Sequence, residues 1–330
     1  MTISNSILSS TLRILKDDAV DNLFKSTPLL RFVKEQEGLD MVDGGQKYDL
    51  PAILGEHSAI TQLSSGYEAI DTSAADVMRT ASYEWCDFVA PINITKKEEM
   101  SNKGERAIVN IAKARMEEVL GQLKREWEKQ VVAGSSTILT DLQTFEGVDS
   151  TGWLEEGAFG TAQTNTVGGL SKTTYASANW NNQTVDAGSA FALSHLHDLR
   201  VNMDMYTDRG GHNLTIASPA CFKLYRGLLS DLERYRSNDD LDGGRMILLY
   251  GGAPFYANPF LPAAGSAADI SAYLLNTSYV RVVFDKDGYF EMDDFVQLDD
   301  YVSRRARIFV RTQIVTNHLA SQGLLVNAES

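Results

Sequence analysis

Between Lys96 and about Ala133, apolar residues recur at three- and four-residue intervals: Ile108, Ile111, Ala112, Val119, Leu120, Leu123, Trp127 and Val131. Lys113, Glu117, Lys124, Glu128 and Lys129 occupy the complementary face, and Gly134, Ser135 and Ser136 follow. The spacing predicts one long amphipathic helix with a clear stop. From Gly104 onward it would run for about 28 residues, or about 42 Å at the usual rise per residue. That exceeds the width of a small domain, so the helix is expected to act as a strut along which other elements are laid.

The segments before the helix look unable to bury themselves. Tyr48, Leu50 and Ala52 alternate with Lys47, Asp49 and Pro51; a polar stretch runs from Glu56 to Asp76, and a second alternating run carries Tyr83, Trp85 and Val89. Two such strands with a polar tip predict a long hairpin, which alone is marginally stable in water. It is expected to lie against something else, with Tyr48, Leu50 and Trp85 as candidate interface residues. Residues 1–45 read as an arm: Ile7, Leu8, Leu12, Leu15, Val20, Leu23 and Phe24 give a short helix that Pro28 stops, followed by a lead-in strand.

After the helix, Gly134 to Gln183 is rich in Gly, Ser, Thr and Asn, with islands such as Gly152, Trp153 and Leu154, and predicts short irregular strands. Phe191, Leu193, Leu196, Leu199, Val201 and Met203 then predict a helix, Asn213 to Ala217 a strand, and Ser218 with Pro219 the capped start of a second helix through Phe222, Leu224, Tyr225, Leu228 and Leu229. Short apolar strands are expected at Met246–Tyr250, Pro254–Ala257, Ala272–Asn276 and Val280–Phe284. This order is α+β, and no internal repeat is visible.

Charge limits the partners. With 44 acidic against 30 basic side chains the formal charge is -14, so non-specific attraction to nucleic acid is not encoded in the net field. The last 45 residues nevertheless separate the two signs: Glu291, Asp293, Asp294, Asp299 and Asp300 precede Arg304, Arg305, Arg307 and Arg311 on a strand-like run from Arg304 to Val315. Arg305, Arg307 and Arg311 share strand parity with Phe309 and are expected to pair with acidic residues, between strands or between subunits, rather than to hold DNA. Cys86 and Cys221 show no CxxC spacing and read as reduced thiols. No export signal and no membrane-length apolar run is visible, so a soluble chain without a membrane partner is expected.

Catalytic patterns are sparse. His195, His197 and Asp198 are the best metal candidate, the reading that would make this a soluble metal-dependent enzyme. On a helix, residues two apart face different ways, so capping or solvated roles are expected instead. The other histidines, His57, His212 and His318, form no second pair. Gly243, Gly244, Gly251 and Gly252 match no phosphate-binding loop and read as tight turns, and the acidic cluster lacks the ligand spacing of a calcium loop. Trp85 and Trp127 read as packing anchors. No catalytic site, metal or cofactor is expected.

The assembled order resembles the major capsid protein of tailed bacteriophages, the Hong Kong 97 type of shell fold. The resemblance is carried by the loop strands around Gln46–Ile53 and Val77–Ile94, the spine-like helix Lys96–Ala133, Ala217, Ser218, Pro219 and Ala220 at a helix start, Tyr250, Gly251, Gly252 and Ala253 before Pro254, and the stretches Tyr279–Asp287 and Val302–Val315. It implies an N-terminal arm at 1–45, an extended β-hairpin loop at 46–95, spine helix and peripheral domain at 96–190, an axial domain at 191–285 and return strands of the peripheral domain at 286–330. It further implies a non-enzymatic subunit that associates with itself in pentamers and hexamers, encloses double-stranded DNA contacted non-specifically, and resides in the virion after assembly in the host cytoplasm. Portal and decoration proteins are implied partners. A separate scaffolding protein, or none, is implied, because no long charged helical segment opens the chain. The lysine-to-asparagine cross-link of one branch matches no residue here. An encapsulin-like shell around cargo enzymes is the alternative within the same fold.

Overall fold

The computed structural model describes residues 39–55, 77–101, 105–133, 154, 165–188, 191–207, 210–229, 248–261, 270–297 and 302–328. The helix expected at Ile7 to Phe24, the hairpin tip from Glu56 to Asp76, His57, Gly243, Gly244, Asp299 and Asp300 lie outside them. In chain order the elements are β1 (Leu39–Val42), β2 (Lys47–Ile53), β3 (Met78–Glu84), β4 (Cys86–Thr95), α1 (Lys96–Ser101), α2 (Glu105–Ala133), β5 (Thr166–Val167), β6 (Leu170–Ser171) and β7 (Gln183–Asp186). There follow α3 (Leu193–Asp204), β8 (Leu214–Ala217), α4 (Pro219–Leu229), β9 (Leu248–Tyr250), β10 (Ala253–Ala257), β11 (Ile270–Leu275), β12 (Val280–Asp285), β13 (Glu291–Met292), β14 (Val296–Gln297), β15 (Ser303–Thr316) and β16 (Gly323–Val326).

The first sheet is built around β15. Along one edge β15 takes β12, β13 and β14 in succession, and along the other it pairs with β4 from Ser303↔Thr95 to Thr312↔Cys86; β1 adds in parallel outside β12. Ala306, Ile308 and Val310 of β15, with Ile92 and Ile94 of β4, point inward and are buried. On that face α2 packs through Leu120, Trp127 and Val131 of the expected stripe and through Met116, which the expected stripe does not include. Pro91 sits within β4, where β4 pairs only with β15 among the described residues, the edge position a strand proline requires.

The second sheet runs β7-β16-β11-β8-β10-β9. Leu196, Leu199 and Met203 of α3 and Cys221 and Tyr225 of α4 cover one face, meeting Phe255, Leu274 and Leu325. The other face joins the first core: the Tyr273 hydroxyl donates to the Val132 carbonyl at the end of α2 (2.9 Å), and the Asn258 side-chain amide donates to Glu128 (2.9 Å). The strut helix therefore ties the two sheets together.

Local expectations and structure differ in places with identifiable causes. The expected helix starts at Lys96 with α1, where Thr95 and Glu98 form a reciprocal cap: the Glu98 N–H donates to the Thr95 hydroxyl (3.4 Å) and the Thr95 N–H to the Glu98 carboxylate (3.1 Å). Ser218 caps α4 as expected, its hydroxyl accepting from the Cys221 N–H at 3.2 Å. Gly251 and Gly252 make the tight β9–β10 turn with φ of +58° and +93°. Sheet membership also cuts across the expected segment borders. From the expected arm, β1 joins the first sheet, as do β4 from the expected hairpin loop and β12 from the expected axial segment; β7 and β16 join the second. Periodicity marks a strand but carries no information on which distant strand it pairs with.

Candidate assembly interface

The hairpin forms as the alternation predicts, β2 pairing with β3 from Lys47↔Glu84 to Ile53↔Met78. Its base is seated on its own chain. Leu50, Ala52, Ala81 and Tyr83 are buried, the Tyr83 hydroxyl donates to the Thr316 carbonyl at 2.6 Å, and the Ser82 N–H donates to the Gly168 carbonyl at 2.8 Å. Tyr48 is half-buried, donates to Asp40 at 3.2 Å and meets the Trp85 ring edge-on at 6.4 Å; Arg281 reaches the same carboxylate oxygen at 3.3 Å. Burial and the Asp40 charge push the Tyr48 hydroxyl above its usual range. So Tyr48, Leu50 and Trp85, the expected interface residues of the hairpin, all pack within the chain. The apolar pair left in water is at the distal end: Ile53 is 72% and Met78 57% exposed, directly opposite each other.

The outward face of the first sheet gathers the C-terminal arginines. Antiparallel register sets Arg305 beside Asn93, Arg307 beside Pro91, Phe309 beside Val89 and Arg311 beside Asp87. Arg311 grips Asp87 with two bonds, Nε to Oδ1 at 2.7 Å and Nη2 to Oδ2 at 3.2 Å, and reaches the buried Asp285 at 3.4 Å. Its guanidinium also lies 5.9 Å from the Phe309 ring. Arg305 donates to the Asn93 side chain at 3.1 Å, while the Arg307 side chain stays exposed and its carbonyl accepts from the Asp293 N–H at 2.9 Å. Arg304 has the opposite parity.

The acidic partners of Arg311 thus come from β4 and β12, not from Asp293 or Asp294, which are exposed. Strand register decides this, because the directly opposite residue is closer than a neighbour in sequence. Asp87, Asn93, Val89 and Val296 were invisible as members of this face; the alternation around Val89 gave their orientation but not the partner strand.

His195 lies in the first turn of α3 and its Nδ1 accepts from the Ala192 N–H at 3.3 Å, a helix-capping contact, while His197 and Asp198 face solvent. Among the described residues no three His, Cys, Asp or Glu side chains gather where a metal ion could be held, and no helix is long and apolar enough to cross a membrane. Cys86 and Cys221 are buried and unbridged; burial pushes their thiols up to about 11 and about 12, where a thiolate is scarce.

No family model and no curated protein sequence matches the chain. Solved structures do. The Cyanophage A-1(L) capsid subunit superposes with a TM-score of 0.58 at 13% identity, covering 90% of this chain and 93% of that one. The holo-SrpI encapsulin of Synechococcus elongatus PCC 7942 gives 0.56 at 10%, with 92% and 88% covered. The capsid of the native GTA particle gives 0.56 at 10%, with 90% of each chain covered. The strut helix under a sheet built on a long C-terminal strand, joined to a second helix-covered sheet, is the Hong Kong 97-type shell fold of phage capsid proteins, and this chain has it.

Proposed function

We propose that this chain is a major capsid protein: a structural, non-catalytic subunit that assembles into an icosahedral shell around a double-stranded DNA genome. The observation that carries the reading is the extent of the likeness, which spans nine-tenths of the chain and of a phage capsid subunit. The exposed Ile53–Met78 end of the hairpin supports self-association, because a monomer gains nothing from holding two large apolar side chains in water. In this reading the hairpin crosses onto a neighbouring subunit, capsomers are pentamers and hexamers, and a portal, decoration proteins and a separate scaffold, if any, complete a virion assembled in the host cytoplasm. The acidic chain lines a container that does not trap a polyanion destined to leave.

Negative-stain microscopy of the purified chain tests this: closed shells or capsomer rings are expected, and a strictly monomeric protein would sink it. The encapsulin likeness is nearly as extensive, so the contents of the shells decide the second question. Nuclease-protected DNA in particles from infected or induced cells fits the head-protein reading; a co-purifying enzyme in its place fits the cargo-shell reading.

A further inference from the structure

We infer that the β9 edge of the second sheet is an acid-opened flap: β9 and the turn at Gly251 and Gly252 are held shut over His212 at neutral pH and swing away when that ring takes up a proton. The flap belongs to the single subunit and does not depend on the shell reading.

Three segments meet at this corner. His212 precedes β8, and its ring lies 5.4 Å from that of Tyr250 at the end of β9. Both residues are buried, and neither the two ring nitrogens nor the Tyr250 hydroxyl has a hydrogen-bond partner. Arg200 and Asp204 of α3 close the corner from outside. The guanidinium lies where a side chain at Gly251 would go, and the carboxylate where one at Gly211 would go. A single contact joins them, Nε to Oδ2 at 3.5 Å, with the two side chains 33% and 40% exposed. Such a pair is a weak fastening.

A charged imidazole is badly placed here. Burial strips its water and Arg200 repels it, and together these outweigh Asp204 and the Tyr250 backbone, which favour it. The other titratable groups at the corner are Tyr250 itself, Asp198, which acts on Tyr250, and the Tyr225 hydroxyl of α4, which donates to the Leu249 carbonyl at 2.9 Å. None of these carboxylates bonds the ring. A proton on His212 is therefore accommodated when water reaches it, and the weak Arg200–Asp204 pair is the way in.

Hydrogen bonding decides which side moves. The His212 side is pinned: the Gly210 carbonyl accepts from the Asn276 side chain and the Thr207 hydroxyl, both at 2.9 Å, and the Asn213 N–H donates to the Leu275 carbonyl at 3.0 Å. The Asn213 side chain also exchanges two bonds with Thr277, at 2.8 and 2.9 Å. The Tyr250 side is loose. β9 has three residues, ends the sheet, and among the described residues pairs only with β10, where Pro254 opposite Leu249 has no N–H to give. Behind it Tyr225 stays stacked on Phe255 at 4.5 Å, and β10 is held by β8. Opening follows the segment with the fewest ties, which is β9 and its turn.

Hydrogen–deuterium exchange of the full-length chain, read as protection factors so that the pH dependence of the chemical rate drops out, tests this. Between pH 7.5 and pH 4.5 the amides of residues 248–253 are expected to lose at least about tenfold in protection, because the open state binds the proton more tightly than the closed one. Those of Leu214–Ala217 and Ile270–Leu275 should keep theirs, and a return to pH 7.5 should restore the flap. His212→Phe, which takes up no proton, is expected to hold β9 shut at both pH values. Should the bulkier ring disturb the corner, His212→Gln, also uncharged, gives the same reading, and the wild-type pattern alone still locates the opening. Protection lost evenly across β8, β9 and β11, protection lost first in residues 205–213, or equal losses in the wild type and the uncharged variants would each overturn the flap.

Discussion

At the scale of single residues, His212 shows what burial does to an ionisable group. It is 6% exposed, its ring lies 5.4 Å from that of Tyr250, and neither ring nitrogen makes a hydrogen bond of good geometry. Burial, and secondarily the Arg200 guanidinium, push its pKa down to about 4, against weaker support for the charged form from Asp204 and the Tyr250 backbone. The folded pKa is below the unfolded value near 6.5, so the neutral ring contributes stability that is full above about 6.5 and is lost as pH falls toward 4, about 3 kcal/mol across that window. Chemical denaturation at pH 7.5 and pH 4.5 should therefore show a larger loss in the wild type than in His212→Phe; equal losses would place the ring in contact with water. Gly251 is a second case. Its φ of +58° makes Gly251→Ala destabilising by about 1 kcal/mol, read as a lower thermal midpoint, while the Arg200 guanidinium that lies where a Cβ would go can swing aside. The turn at Gly251 is legible in its glycine pair, but the arginine packed against it is not. The shared parity of Arg305, Arg307 and Arg311 is likewise legible, while Asp87, which lies 224 residues away from Arg311 in sequence, is hidden. Parity is local; pairing is not.

At the scale of elements, legibility followed periodicity. The stripe on α2 was readable because a helix of 29 residues leaves room for the apolar spacing to repeat several times, and Trp127, 6% exposed, is a large anchor of it. Trp127→Ala should cost about 3 to 5 kcal/mol, as large aromatic truncations in a core do, and an unchanged melting midpoint would mean this face is open to solvent. The four-residue strands of the second sheet were partly readable, and β16 was missed. Gly323–Val326 is buried at every position, so it carries no alternation, and a short apolar run cannot be told from a helix segment by period alone. The hairpin lies between these cases: its alternation was plain, yet the same alternation left open whether its apolar side met its own chain or a neighbour. The structure divides the answer, with the base buried at home and the distal end exposed. Amides near Ile53 and Met78 should accordingly exchange rapidly with deuterium in the isolated subunit and slowly in the assembled shell, while those around Ala81 and Tyr83 are protected in both. Equal protection of the distal amides in the two states would count against a crossing hairpin.

At the scale of the whole molecule, the question is what fixes one sheet relative to the other. The chain crosses between them three times, from β4 to β7 by way of α2 and by short connections from β11 to β12 and from β15 to β16, and these last two crossings lie side by side. Gln322, fully buried, accepts from the Asn276 N–H at 3.0 Å and donates to the Asn276 carbonyl at 3.1 Å, while the Asn276 side chain donates to the Gly210 carbonyl at 2.9 Å. Tyr279 stacks on His318 at 4.7 Å, one ring from each of the two short crossings. Apolar burial by Tyr273, Leu324 and Val326 already holds the second sheet to the first core, but apolar contact is non-directional and would tolerate a slide. The reciprocal amide pair is directional and buried, so it is expected to add angular definition that apolar packing lacks. Gln322→Met keeps the volume and removes both bonds, leaving the buried Asn276 N–H unpaired while its carbonyl keeps the Tyr279 N–H at 3.2 Å, at a cost of about 1 to 3 kcal/mol. A lowered denaturation midpoint is expected, together with shells of irregular curvature in the microscope, because an error in the joint of one subunit is repeated in every copy. A variant that melts as the wild type does and builds uniform shells would show that packing alone fixes the angle.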